Sequence, residues 1–234
     1  MTNILLTGAS RGIGAATLAV LTAAGATVAG QSTRGENRLL AADLSHRGAA
    51  DRLWDAALER LGGRIDVLVN NAGVFEAVAV NAHDAEWQAM WARSNAINLQ
   101  APADLCRRAV LHFQENGRGR IVNVASRAGH RGDSPAHWHY AAAKAGLIAM
   151  TKTIARAYAV QNILAYAVAP GFVMTGMAED YLGSRGGDTL LADIPLGRVA
   201  SPEEVAETIR WLALDAPASL TGATLDVNGA SYVR

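Results

Sequence analysis

The chain is short of cysteine, proline and aromatic residues, and it carries no excess of either charge. Its one cysteine, Cys106, has no partner for an internal disulfide, which excludes a disulfide-stapled scaffold and leaves Cys106 as a small buried hydrophobe. Lys plus Arg and Asp plus Glu both number 21, so no net field draws nucleic acid or an anionic membrane surface to the molecule. No apolar run reaches the roughly 20 residues that cross a bilayer, and the chain opens on a strand-like stretch rather than a charged and then apolar leader. A cytoplasmic protein with no nucleic-acid or membrane partner is the expectation. No Pro/Gly/Ser linker, repeat or low-complexity stretch divides the sequence, so residues 1–234 read as a single domain.

What is present is apolar material, at 50% of 234 residues, arranged in a regular alternation. Asn3 to Thr7 is a short apolar strand that meets glycine at once, and Ile13 to Ala24 then has a helical pattern stopped by Gly25. Further strands are expected at Ala26–Gly30, Leu39–Ala42, Asp66–Asn70, Arg120–Val124, Ile163–Val168 and Thr224–Val227. Helices are expected at about Gly48–Leu61, within His83–Asn116, at about Trp138–Val160 and after Ser201. There Ser201, Pro202 and Glu204 spell an N-cap, a first-turn proline and a capping-box partner. Short apolar strands without polar alternation, separated by helices, predict an α/β fold: a doubly wound, Rossmann-like parallel sheet with helices on both faces.

The turn Thr7-Gly8-Ala9-Ser10-Arg11-Gly12-Ile13-Gly14 sits directly between the first strand and the first helix. Glycines there let backbone N–H groups and a helix N-terminus approach a pyrophosphate without a Cβ in the way. A plain tight turn would also use them, but ligands of doubly wound sheets bind at the carboxyl ends of the strands, where this turn lies. No Walker lysine followed by Ser or Thr is present, so a dinucleotide fits better than a hydrolysable triphosphate.

Residues 137 to 144, HWHYAAAK, raise a separate question of which polar group does chemistry. Tyr140 and Lys144 are four apart on a predicted helix and share a face. An ammonium beside a phenol favours the phenolate, which would bring a tyrosine towards working pH. His137 and His139 are two apart, point in different directions and lack a third ligand, so no metal site is assigned. They would cap the helix start or line a substrate mouth with Trp138.

Taken together these motifs resemble the short-chain dehydrogenase/reductase family, in particular 3-oxoacyl-carrier-protein reductase-like members. Thr7 to Gly14 is similar to that family's T-G-x-x-x-G-x-G, Asn70-Asn71-Ala72-Gly73 to its N-N-A-G, and Pro170-Gly171 to its P-G. Asn98, Ser126, Tyr140 and Lys144 fall in the order of its Asn-Ser-Tyr-Lys tetrad. The resemblance runs from end to end and implies an NAD(P)-dependent oxidoreductase that interconverts a carbonyl and a secondary alcohol by hydride transfer. Tyr140 would be the acid/base, Lys144 would lower its pKa and hold the nicotinamide ribose, Ser126 would bind the substrate oxygen and Asn98 would anchor a relay water.

The same resemblance assigns the cofactor contacts to Gly8, Ser10, Arg11, Gly12, Ile13, Gly14, Ser32, Thr33, Arg34, Asp43, Leu44, Asn70, Ala72, Gly73, Tyr140, Lys144, Pro170, Gly171, Val173 and Thr175. Ser32 stands where NAD-preferring members have an acid, and Arg34 and Arg11 suit a 2′-phosphate, so NADP(H) is preferred and NAD(H) possible. The family also implies a homodimer or homotetramer and a small carbonyl or alcohol substrate. Two features depart from its pattern. The stretch from Thr33 to Arg38 is too short for the usual helix between the second and third strands, leaving the adenosine end more open. The Ser126–Tyr140 spacing is one residue longer than in many members, which alters the substrate wall. Met174 to Asp193, rich in glycine and acids, reads as a mobile lid. A non-catalytic dinucleotide-binding sensor or scaffold is the alternative, although such a protein has no need of the full tetrad.

Overall fold

The computed structural model describes residues 1–174 and 191–234. Seven strands, β1 (Asn3–Leu6), β2 (Thr27–Ser32), β3 (Leu40–Ala41), β4 (Val67–Asn70), β5 (Gly119–Val124), β6 (Ile163–Pro170) and β7 (Thr224–Val227), form one sheet. Their order is β3-β2-β1-β4-β5-β6-β7 and every pairing is parallel. Strands run outward from the centre in both directions, so the winding reverses between β1 and β4. The carboxyl ends of those two strands therefore open onto a crevice where a ligand can enter.

Parallel pairing needs crossovers, and helices supply them everywhere but between β2 and β3: α1 (Gly12–Ala23), α2 (Ala49–Arg60), α3 (Asp84–Asn95), α4 (Ala101–Asn116), α5 (Ala128–Arg131), α6 (Trp138–Tyr158) and α7 (Pro202–Leu214). Strand side chains alternate between two cores. Ile4, Leu6, Val67 and Val69 pack with Leu21 of α1 and with Ile209 and Leu212 of α7. Leu5 and Leu68 pack on the other face with Trp54 of α2, Leu105 and Phe113 of α4 and Ile154 of α6. Because both faces are covered, β4 and β6 are buried along their whole length, which explains their largely apolar sequence.

Two local features shape the binding side of the sheet. Residues 33–39 between β2 and β3 form turns with no helix. The opening expected there is partly closed, because Leu39 folds back over β2: a Cβ on Gly30 would lie 2.7 Å from Leu39 Cδ2. The helical stretch expected within His83–Asn116 is interrupted by a π turn at Ala96–Gln100, which joins α3 to α4 and carries Asn98. One-turn π insertions of this kind recur at functional sites, and nothing in the apolar periodicity signals one.

Candidate active site

The glycine-rich turn and the turn after β4 are built as one unit. The Thr7 hydroxyl oxygen accepts the backbone N–H groups of Asn71 and Ala72 at 3.0 Å each, while the Asn71 amide donates to the carbonyls of Thr7 and Gly8, also at 3.0 Å. Gly8 has φ +68°, and a Cβ there would meet Ala72 Cα at 2.8 Å. At Gly14 a Cβ would fall 1.9 Å from the Gly8 carbonyl oxygen, so only glycine lets the first turn of α1 close onto the loop. That helix begins without a side-chain cap and without an acid in its first turn. Its unpaired N–H groups and positive dipole end are thereby left for an anion, and a phosphate-bearing dinucleotide fits this cradle. Ser10 and Arg11 are exposed at its rim, and Gly12 and Ile13 are half-buried.

At the outer end of the crevice the assigned residues divide. Arg34 is 84% exposed at its side chain and stands 3.9 Å from Glu36, while Thr33 is exposed. Ser32 is buried, and its hydroxyl accepts the Gly35 N–H at 3.0 Å. Asp43 accepts from the Ser45 hydroxyl at 2.7 Å and from its N–H at 3.0 Å, and these bonds hold its carboxyl below the usual range. Leu44 faces the α2 core, so only its backbone can reach a ligand. The Asn70 side chain is likewise turned inward, donating to Asn123 Oδ1 at 2.9 Å. Ala72 and Gly73 remain at the crevice. Gln31 belongs here too: its Oε1 accepts the Gly8 N–H at 2.8 Å and its Nε2 donates to the Ala42 carbonyl at 2.7 Å. Sequence reading passed over Gln31; a long amide in a strand otherwise built of small and apolar groups was the available signal.

The four tetrad residues are supplied by four neighbouring pieces of backbone. Asn98 comes from the π turn, Ser126 from the loop just after β5, and Tyr140 and Lys144 from successive turns of α6. Gly73 is the point of approach, since a Cβ there would lie 2.9 Å from Asn98 Oδ1 and 3.5 Å from Lys144 Nζ. Asn98 is fully buried. Its Oδ1 accepts the Val74 N–H at 3.1 Å, and its Nδ2 donates to the Val74 carbonyl at 3.0 Å and to Ser94 Oγ at 3.1 Å. Both amide hydrogens are thus committed, which leaves an Oδ1 lone pair and the backbone for any water. On the other side, Gly129 lets α5 press on α6: a Cβ would meet the backbone carbon of Lys144 at 2.8 Å.

Ser126 lies close enough to Tyr140 to pull its pKa down, and Lys144 Nζ lies 5.7 Å from the Tyr140 ring centre while donating to the Val124 carbonyl at 2.8 Å. The expected lowering of the Tyr140 pKa is not what these surroundings produce. Burial pushes the phenol up to about 12, against a smaller downward pull from Ser126, even though Tyr140 keeps part of its surface open. Burial also holds the Lys144 ammonium down to about 8. Desolvation disfavours both charged forms, and at this separation it outweighs the attraction between them.

At the end of β6, Gly171 donates its N–H to Val227 at 2.9 Å and could not carry a Cβ, which would meet Asn228 Cβ at 2.8 Å. Pro170 and Val173 are buried, and Val173 bridges to Ala200. Thr175 and most of the expected lid lie outside the described residues. His137 does not cap α6; its ring stacks on Phe75, with centroids 3.8 Å apart and planes 4° from parallel. Asn123, the partner of Asn70, was also missed. Asn70 and Asn123 are register partners on β4 and β5, and Asn123 donates to Thr151 Oγ1 at 2.9 Å, giving a buried polar ladder beneath the site.

A parallel, doubly wound sheet with a glycine cradle at its switch point and a Ser-Tyr-Lys group beside it defines a dinucleotide-dependent oxidoreductase. A family model described as enoyl-(acyl carrier protein) reductase matches residues 8–230. A protein of Synechocystis named 3-oxoacyl-[acyl-carrier-protein] reductase is 39% identical, over 96% of this chain and 94% of its own length. One of the same name from Thermotoga maritima is 36% identical over 96% and 95%. Nodulation protein G of a Rhizobium strain is 36% identical over 96% and 94%. The chain belongs to the short-chain dehydrogenase/reductase family, as a 3-oxoacyl-carrier-protein reductase-like member, and is an NAD(P)-dependent enzyme acting on a carbonyl or alcohol group.

Proposed function

We propose that the protein reduces a ketone to a secondary alcohol at the expense of NADPH, with Tyr140 as the proton donor. The observation that carries this reading is the grouping around Tyr140: Lys144 follows one turn on along α6 with its Nζ 5.7 Å from the phenol ring, and Asn98 and Lys144 converge at Gly73 on the crevice. Burial keeps the phenol protonated at neutral pH, the form a carbonyl oxygen needs, and the nearby Lys144 ammonium offsets part of the weaker acidity that burial brings. The bound nicotinamide supplies the hydride. Ser126 shares the carbonyl oxygen with Tyr140, and Lys144 keeps further N–H groups free to orient a ribose hydroxyl and to favour the phenolate left after transfer. Asn98, with both amide hydrogens committed, fixes the Val74 backbone and so the wall beside the tyrosine.

The glycine cradle and the uncapped α1 terminus receive the pyrophosphate. NADP(H) is favoured because Ser32 carries no charge to repel a 2′-phosphate, and because Arg34 and Arg11 are exposed and able to reach it. The names of the relatives support a 3-oxo group as the reacting carbonyl. Oligomerisation is the corresponding reading for the assembly. The test is ketone-dependent oxidation of NADPH by wild type and by Tyr140→Phe. The phenylalanine variant keeps the ring and the cofactor cradle, so NADPH binding persists while turnover drops by roughly 10²–10⁴-fold. Near wild-type kcat in that variant would remove Tyr140 from the reaction.

A further inference from the structure

The loop after β4 and the loop before α6 meet above Tyr140, joined by the Val78 N–H donating to the Ala136 carbonyl at 3.0 Å. Their contact is aromatic. Phe75 and His137 are stacked face to face, and Phe75 stands 4.9 Å from Tyr140 at 77°, edge to face. Each half of the stack is held from behind. Phe75 follows Val74, whose N–H and carbonyl are both tied to Asn98, and precedes Glu76, which pairs with Arg93 of α3 at 3.0 Å. His137 Nδ1 lies 2.7 Å from Ser134 Oγ and 4.0 Å from Asp133, within the lengthened Ser126–Tyr140 connection.

The aromatic contacts continue outward from the stack. His139, fully buried, lies 6.3 Å from His137 and 6.0 Å from Trp91; Trp91 meets Trp87 at 5.9 Å, and Trp87 meets Trp138 at 5.7 Å. Three of the chain's five tryptophans gather at this rim, and Trp138 is 51% exposed. So much aromatic surface along one rim is unlike the rest of a chain poor in such residues. Burial holds both His137 and His139 below their ordinary pKa, so the rings present neutral faces near pH 7.

We propose that the Phe75–His137 stack is the specificity-determining wall of the substrate pocket, and that it selects ketones bearing a bulky, flat, apolar group beside the carbonyl. This rests on the assignment of Tyr140 as proton donor: Phe75 packs edge to face on the Tyr140 ring, so a carbonyl that reaches that phenol brings its substituent towards Phe75. Flat apolar groups gain from offset or edge-on aromatic contact, whereas a short aliphatic substituent leaves that surface wet. His137 acts through Phe75: it is a positioning residue that keeps the phenyl ring upright.

The experiment compares an aryl alkyl ketone with a small aliphatic ketone, using NADPH, in wild type, His137→Ala and His137→Phe. Binding of the aryl ketone to the NADPH complex is followed separately by calorimetry. Wild type is expected to favour the aryl ketone in kcat/KM. His137→Ala loses about tenfold of that preference, through KM rather than kcat, and weakens binding in step, while His137→Phe, which restores a flat partner for Phe75, recovers both. An unchanged aryl-to-aliphatic ratio in His137→Ala, or a wild-type preference for the aliphatic ketone, overturns the proposal. Aryl-ketone binding that depends on His137 but is never followed by turnover upholds the wall and rejects the proton-donor reading instead. Absence of both binding and turnover rejects both.

Discussion

Lys144 shows how one buried charge links catalysis to stability. Burial lowers its pKa from 10.5 to about 8, and the residue is only 4% exposed. Between those two values the unfolded chain holds a proton that the folded chain has released, so the folded state gains stability as pH rises from 8 towards 10.5; below 8 the cost of burying the ammonium is fully present. Tyr140 shifts the other way, from 10 to about 12, and its contribution falls only above pH 10. Lys144→Met keeps the length and deletes the charge. In denaturant unfolding of the cofactor-free protein between pH 7 and 10, wild type should gain stability relative to the variant by on the order of 1–3 kcal/mol. Parallel curves would show that the ammonium is better solvated than its burial implies. The same residue shows a limit of sequence reading. A Tyr-x-x-x-Lys spacing reveals that the groups share a face, but the sign of the pKa shift depends on how much water and which carbonyl the fold brings, here Val124 from twenty residues away.

The elements were legible where local chemistry sets them. Ser201, Pro202 and Glu204 predicted the start of α7, and the capping box is formed: Glu204 N–H to Ser201 Oγ at 3.3 Å and Ser201 N–H to Glu204 Oε2 at 2.8 Å. Arg198 adds two bonds to the same carboxylate, at 2.7 and 2.8 Å, and together these contacts draw Glu204 from 4.5 down to about 2. A lowered carboxyl stabilises the fold above its unfolded pKa and loses that effect as pH falls through 4.5 to 2. Glu204→Gln should therefore lose most at pH 6, and the gap to wild type should narrow steadily below pH 4.5, closing only below pH 2, in thermal melts. The difference should be small and salt-sensitive, because the side chain is 42% exposed. A gap as large at pH 2.5 as at pH 6 would assign the effect to packing. By contrast, the π turn at Ala96–Gln100 and the four-residue α5 were not legible, since both are set by what they pack against. Gly129 in α5 is there for the Lys144 backbone, a contact no local window contains. Leu39 filling the place of an absent helix is of the same kind.

At the scale of the molecule, the dinucleotide crevice joins elements that otherwise meet only through the sheet. The α1 cradle, the turn after β4, the start of α6 and the end of β6 all face it, so a bound cofactor cross-links segments from both halves of the strand order. A ligand that binds only the folded state stabilises it by about 2.7 kcal/mol at a hundred times its Kd. For a domain of this length that amounts to roughly 5–10 °C in Tm. The motifs made the cradle legible, because Gly8 and Gly14 are demanded by backbone approach, but not the cofactor's phosphate end. There the choice rests on Ser32, whose hydroxyl is engaged by Gly35, and on Arg34, whose nearest acid is Glu36 at 3.9 Å. An arginine so exposed is free to turn to a 2′-phosphate, and the gain would fall with ionic strength. Melting curves with equal concentrations of NADPH and NADH, for wild type and Arg34→Ala at low and moderate salt, measure this directly. NADPH should raise Tm more than NADH in wild type, and Arg34→Ala should shrink that excess, most clearly at low salt, while leaving the NADH shift in place. A larger shift with NADH would reverse the cofactor preference. An excess untouched by the alanine would transfer the phosphate contact to Arg11, which stands exposed at the head of α1.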